Sequence, residues 1–203
     1  MYNFTIPMAL MDFVPVAFFG ITAVLLLGDL YNKMSKGVYA LFAAGVVNVF
    51  MAGFFKALWK LLYAAGICDF KALEEMFLPV NSLGLLFVGL SLIMMVCLKK
   101  KTVMLAAPVA VTSSMPFIMM MVVGLGGMCA SMSILSVKMK KGTTMILFIL
   151  AFVASMAMGY MSSQDSTLAW VNWAEQSINC VSQLCLMLGT LKLHKAGLKT
   201  FAW

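Results

Sequence analysis

Residues 102–137 read TVMLAAPVAVTSSMPFIMMMVVGLGGMCASMSILSV, and the lysines on either side of them decide the fold. Lys99, Lys100 and Lys101 precede the stretch; Lys138, Lys140 and Lys141 follow it. Lysine-rich short loops stay on the cytoplasmic side of a membrane, so both ends belong on one side. A single crossing would strand one cluster on the wrong side, so the stretch calls for an even number of crossings. The break falls at TSSMP, Thr112 to Pro116, which supplies a turn and a helix start. Its 36 residues span about 54 Å as helix, slightly less than two crossings of about 30 Å each. The stretch therefore reads as a short helix, 102–113, followed by a full one, 116–137. The alternative is a re-entrant half-helix over 102–115, protected by its neighbours.

Working outward, apolar runs occupy 8–30, 38–64, 76–98, 143–161 and 168–191. Each is long enough to cross a hydrocarbon core of about 30 Å. The expected fold is an all-α polytopic membrane protein, with 1–203 forming one integral membrane domain. It has seven transmembrane helices, or six plus a re-entrant segment, with the N-terminus outside and the C-terminus inside. Composition agrees: 64% of the 203 residues are hydrophobic, 10% are charged, and the mean hydropathy is +1.03. Soluble domains carry about a quarter charged residues, so a soluble globule is excluded.

The net charge of +7 comes from 14 lysines and no arginine. Eleven of the lysines cluster as Lys33/Lys36, Lys99–Lys101, Lys138/Lys140/Lys141 and Lys192/Lys195/Lys199, each at the end of an apolar run. Asp69, Glu74, Glu75 and Asp165 lie in or beside the other connections. The basic balance thus reports topology and contact with anionic lipid, not nucleic acid. Absence of arginine with abundant lysine and methionine fits an AT-rich bacterial genome, so the expected location is a bacterial cell membrane.

Five cysteines form no CxxC pair, and only Cys68 falls in a loop; the rest read as small core hydrophobes. The single histidine, His194, cannot build a metal or haem site alone. No G-x-S-x-G, H-E-x-x-H or Walker motif occurs, so neither a cofactor nor an enzymatic activity is expected. The N-terminal MYNFTIPMALMDF lacks a basic region and a small-residue cleavage site, so the first run reads as a retained helix.

Leu30–Gly37 and Leu135–Gly142 both fit L-x-x-K-M-x-K-G, and Pro15 and Pro116 precede them at similar depth. Glu75, Ser82 and Gly89 match Glu175, Ser182 and Gly189 at a shift of 100. These matches point to parallel three-helix repeats joined by 102–113. That plan resembles the small transporters of the SWEET and PnuC type. Phe42-Ala-Ala-Gly45-Val-Val-Asn48-Val-Phe-Met-Ala-Gly53 is similar to the F-x-x-G-x-x-N…G pattern of PnuC-type vitamin carriers. The resemblance to SWEETs implies Asn81 and Asn179 as substrate contacts. Two departures stand out. The Pro-Gln dipeptide of PQ-loop relatives is absent, and W-x-x-W, Trp170 and Trp173, opens the last helix instead of the sixth.

Polar groups inside a membrane are costly, which makes them the candidates for function. Asn172, Gln176, Asn179 and Gln183 recur on one helix face at i, i+4, i+7 and i+11, flanked by Glu175 and Ser182. Such a stripe either glues helices together or lines a ligand path. Asp12, Lys56, Lys60 and Glu175 all fall in the outer half of the membrane. Lys60 is expected to snorkel to the interface, whereas Lys56 lies deeper and needs Asp12 or Glu175 as a partner. Pro15, Pro79, Pro108 and Pro116 are expected to kink their helices or remove a backbone hydrogen bond. Trp59, Trp170, Trp173 and Trp203 read as interfacial anchors.

The candidate substrate-binding set is Asp12, Asn48, Lys56, Asn81, Asn172, Glu175, Gln176, Asn179 and Gln183, around an outward-facing cavity between runs 8–30, 38–64, 76–98 and 168–191. The expected activity is transport of a small polar or zwitterionic solute. A binding subunit of a larger transport complex and a non-transporting sensor or scaffold are the alternatives. Membrane lipid and the solute are the expected partners, and association with further copies of the chain is left open.

Overall fold

A computed structural model describes residues 5–98, 114–161, 164 and 168–201. Among them the chain forms eight helices and no strand: α1 Ile6–Met11, α2 Phe13–Leu30, α3 Lys36–Ala64, α4 Ala72–Glu75, α5 Phe77–Leu98, α6 Ser114–Lys138, α7 Gly142–Met161 and α8 Ala169–Lys195. Six of the seven expected helices are present within a few residues of their expected bounds. The expected helix 102–113 lies outside the described residues, as do Pro108, Lys99–Lys101, Asp165 and Trp203. Five segments are long and apolar enough to cross a membrane: Ile6–Leu30, Lys36–Ala64, Ala72–Cys97, Ser114–Lys138 and Gly142–Met161. This is the architecture of a multi-pass membrane protein. With 27 residues, α8 spans about 40 Å as well, but the amide stripe makes it the most polar of the long helices.

The long helices close into a ring, each packing on the next in the order α2, α3, α5, α6, α7, α8 and back to α2. Contacts between named residues give the directions. Asp12 meets Lys60 while Leu27 meets Tyr39, so α2 and α3 are antiparallel. Gly84 meets Val49 while Val88 meets Gly45, so α3 and α5 are antiparallel too. Phe148 meets Gly189 and Ser155 meets Ser182, which makes α7 and α8 antiparallel. By contrast, Gly124 lies on Leu85 and Leu86, and Gly127 lies on Gly89 and Ile93, so α5 and α6 run the same way. Asp29 reaches His194 on α8 while Asp12 and Glu175 share a cavity near the other end, so α2 and α8 are also parallel. Each helix that ends in a lysine cluster therefore ends on the same side of the ring.

The bundle is apolar outside as well as inside. Val24, Val47, Val153 and Val181 are more than half exposed on the outer faces, where contact with lipid would cover them. Inside, the half near the lysine clusters is solid: Leu26, Phe42, Leu92, Met132, Phe148 and Leu193 are each at most 1% exposed. At that end α8 stops at Gly197, whose φ of 86° closes the turn through Leu198 N–H to the Leu193 carbonyl at 3.0 Å. The turned-back tail is tied down, Lys33 Nζ donating to the Phe201 carbonyl. Loss of hydration holds the Lys33 ammonium below the usual lysine range, partly offset by Asp29.

One proline corrects an expectation. Pro116 stands third in α6, in its first described turn, so it bends none of the described helix, whereas Pro79 follows a break at Met76 between α4 and α5 and cannot donate to Glu75 four residues back. Pro15 is third in α2 and does interrupt, because it cannot donate to Met11 four residues back. The helix breaks at Asp12 between α1 and α2, which places a carboxylate at a joint in an otherwise continuous apolar span.

The α5–α6 seam is built from backbone. A Cβ at Gly89 would collide with the backbone of Gly124, and one at Gly124 with the backbone of Leu85 and Leu86. Small residues without a Cβ are what let two helix backbones approach this closely in a membrane. Gly124→Ala is expected to lower stability in detergent by about 1–3 kcal/mol through overpacking, read from the unfolding midpoint. Gly28→Ala, whose added methyl meets nothing within 4 Å, is the control and leaves the midpoint unchanged or slightly raised.

Candidate functional site

The half of the ring away from the lysine clusters is hollow. A cavity of about 520 Å³ lies there, lined by all six ring helices. It is broader than expected, because α6 and α7 form a wall that the sequence reading left out. Its floor, at Met128 and Leu186, rests on the solid half of the bundle.

Asp12, Lys56, Asn81, Glu175, Gln176, Asn179 and Gln183 all line this cavity. Asp12 arrives from the α1–α2 break. Its Oδ2 accepts from Lys60 Nζ at 2.8 Å, while its buried Oδ1 has no hydrogen-bond partner. Lys56, one turn deeper along α3, holds its Nζ 4.3 Å from the centre of the Phe77 ring, a cation–π contact. Lys56, Lys60, Asp12 and Glu175 lie within electrostatic reach of one another. From α8, Gln176 is 5% exposed, and the buried Oε1 of Gln183 also lacks a partner. An unpaired buried acceptor costs about 1–3 kcal/mol, so both atoms mark places where a donor is wanted.

Two expected residues stand elsewhere. Asn172, 3% exposed, donates to the Leu168 carbonyl at 3.3 Å and serves the start of α8, off the cavity wall. Asn48 is half-buried on α3, also off the wall.

Lys60 and Trp59 overturn their expectations. Lys60 is 4% exposed and paired with Asp12, instead of snorkelling to the interface. Trp59, expected as an interfacial anchor, is 1% exposed and donates from Nε1 to Asp69 Oδ1 at 3.0 Å. Trp170 and Trp173 are exposed, as anchors would be. The sequence signal for Lys60 was its spacing of four from Lys56, which puts both on one helix face.

Two further polar contacts were not anticipated. Ser182 donates to the Ala151 carbonyl at 2.8 Å, which leaves Ser155 to donate to Ser182 at 2.6 Å and joins α7 to α8. At the lysine end, the 3%-exposed Asp29 meets His194 Nδ1 at 2.9 Å.

The cavity has two chemically different sides. Lys56, Asn81 and the α8 side chains Glu175, Gln176, Asn179 and Gln183 supply charge and amides. Facing them, α6 contributes only Ile118, Met121, Val122, Leu125 and Met128. Among the described residues no three His, Cys, Asp or Glu side chains are grouped to hold a metal ion. All five cysteines are free, with Cys129 buried in the core. No protein-family model, curated protein or solved structure matches the chain.

Proposed function

We propose that the chain is a small carrier of a bacterial cell membrane that takes a small polar or zwitterionic solute from an outward-facing cavity. The observation that carries this reading is the 520 Å³ cavity, lined by carboxylate, ammonium and amide groups and closed toward the lysine end. Binding sites are concave and mostly apolar, with a few convergent polar groups, and this volume is in their usual range of about 300–1,000 Å³. A cavity open at one end over a packed floor is what one state of an alternating-access carrier requires.

The proposed topology has seven crossings, the N-terminus outside and the lysine end in the cytoplasm, with α2–α3–α5 and α6–α7–α8 as parallel repeats. The shared direction of α5 and α6 supports it. Leu98 ends near the lysine side while Ser114 begins at the opposite side, as an additional crossing between them requires. Epitope tags test the orientation. An N-terminal tag should be reached by antibody on intact cells, and a C-terminal tag only after permeabilisation. A cytoplasmic N-terminus would overturn the topology and with it the outward-facing cavity.

A thermal-shift screen of vitamins, nucleosides, amino acids, sugars and simple ions tests the site in detergent. A ligand at 100 times its Kd stabilises the folded state by about 2.7 kcal/mol. A shift that Glu175→Gln abolishes supports the carrier reading; no shift with any compound favours a sensor or scaffold in which the amides are glue.

A further inference from the structure

Two acceptors on the cavity wall have no donor. Asp12 Oδ1 sits at the outer end beside the Lys60 pair, and Gln183 Oε1 sits two turns deeper than Glu175 on α8. Eight residues of helix separate Glu175 from Gln183, about 12 Å along the axis. Carboxylate and amide acceptors line this strip, and the cation facing the cavity, Lys56, is held at its edge against Phe77. Recognition there demands a solute that brings N–H or O–H donors to the acceptors and an anionic group to Lys56.

The opposite side sets a second demand. The α6 wall offers no polar side chain to the cavity, and Met156 and Met158 of α7 extend it beside Ser155, whose hydroxyl is bonded to Ser182. Across the cavity, Phe19 of α2 and Phe50 of α3 add aromatic surface beside the charged groups. Methionine is flexible and polarisable and packs well on aromatic rings. A sugar or a glycine-sized zwitterion would leave this surface to water and gain nothing from it, whereas an apolar body would cover it.

We infer that the solute is an amphipathic zwitterion, an amino-acid-like molecule whose ammonium is taken by the Asp12–Glu175 side, whose carboxylate is taken by Lys56, and whose large apolar or aromatic body lies on the α6–α7 methionine wall. This class rests on the reading of the cavity as a solute site, and narrows it.

Matched ligands test it by equilibrium binding to the whole purified protein in detergent. The set is phenylalanine, glycine, phenethylamine (no carboxylate), 3-phenylpropionate (no ammonium) and glucose. Phenylalanine should bind at least tenfold more tightly than glycine, and more tightly than either analogue lacking one charge. Leu125→Asn, which places an amide on the apolar wall, should cut that preference over glycine severalfold. Glycine or glucose binding as tightly as phenylalanine would overturn the amphipathic class and leave a solute-binding cavity standing. Phenethylamine binding as tightly as phenylalanine would overturn the role of Lys56. If no compound binds, both the class and the solute-site reading fall.

Discussion

Lys60→Met is expected to destabilise the protein by about 3–5 kcal/mol, the cost of leaving one partner of a buried ion pair unpaired. The pair joins α3 to the break between α1 and α2, with both side chains at most 7% exposed and only 2.8 Å apart. Methionine fills nearly the same length as lysine, so the loss reports charge and not volume. Asp12 would then face Lys56 across the cavity, and its Oδ1 already has no partner. The check is the unfolding midpoint of the purified variant in detergent. The double variant Asp12→Asn/Lys60→Met, which buries no charge at that joint, should recover most of the loss, because apolar replacements of buried ion pairs are often neutral. A single-variant loss under about 1 kcal/mol, the value of a solvated pair, would mean that water reaches the joint and that other contacts hold α1 on α3.

This pair also marks where sequence reasoning stops. The lysine clusters carried the relative directions of the described helices, since loop charge depends on topology and not on packing. Helix faces were harder. Over most of its length α3 is apolar on every side, and hydrophobic periodicity there cannot tell its lipid face from its ring face. Depth alone put Trp59 and Lys60 at the interface. Their partners, Asp69 and Asp12, come from a connection and from a break that Pro15 makes in the preceding helix. A residue-by-residue depth count does not register that break. The same blindness hid the α6–α7 wall, because a cavity lined by Met, Ile, Val and Leu reads in sequence as ordinary core or lipid face.

The α8 stripe was legible for the opposite reason. Polar residues in an apolar helix carry a clear 3.6-residue period, and Gln176, Asn179 and Gln183 do face the cavity. Asn172 shares their face but stands in the first turn of α8, where its amide donates back to the Leu168 carbonyl instead of reaching the cavity. Pro116 fails to kink α6 because it stands in the first turn, and hydropathy blurs helix ends by the two or three residues that separate a start from an interior.

Glu175→Gln and Lys56→Met are each expected to weaken solute binding about thirtyfold or more, without preventing insertion or folding. Removing one partner of a desolvated charge contact costs about 2–5 kcal/mol in a binding interface, and 1.4 kcal/mol is tenfold in Kd. Both substitutions keep shape: glutamine is isosteric with glutamate, and methionine preserves the contact with the Phe77 ring through sulfur. Titration of the solute found by thermal shift gives the two Kd values, and surface-tag accessibility confirms insertion. The double variant then separates two arrangements. If Lys56 holds the anionic end and Glu175 the cationic end of one solute, the two losses add, as independent contacts do. If the two side chains mainly serve each other in the empty cavity, the double variant loses much less than the sum. Unchanged affinity in both single variants would move the site away from the α3–α8 side of the cavity altogether.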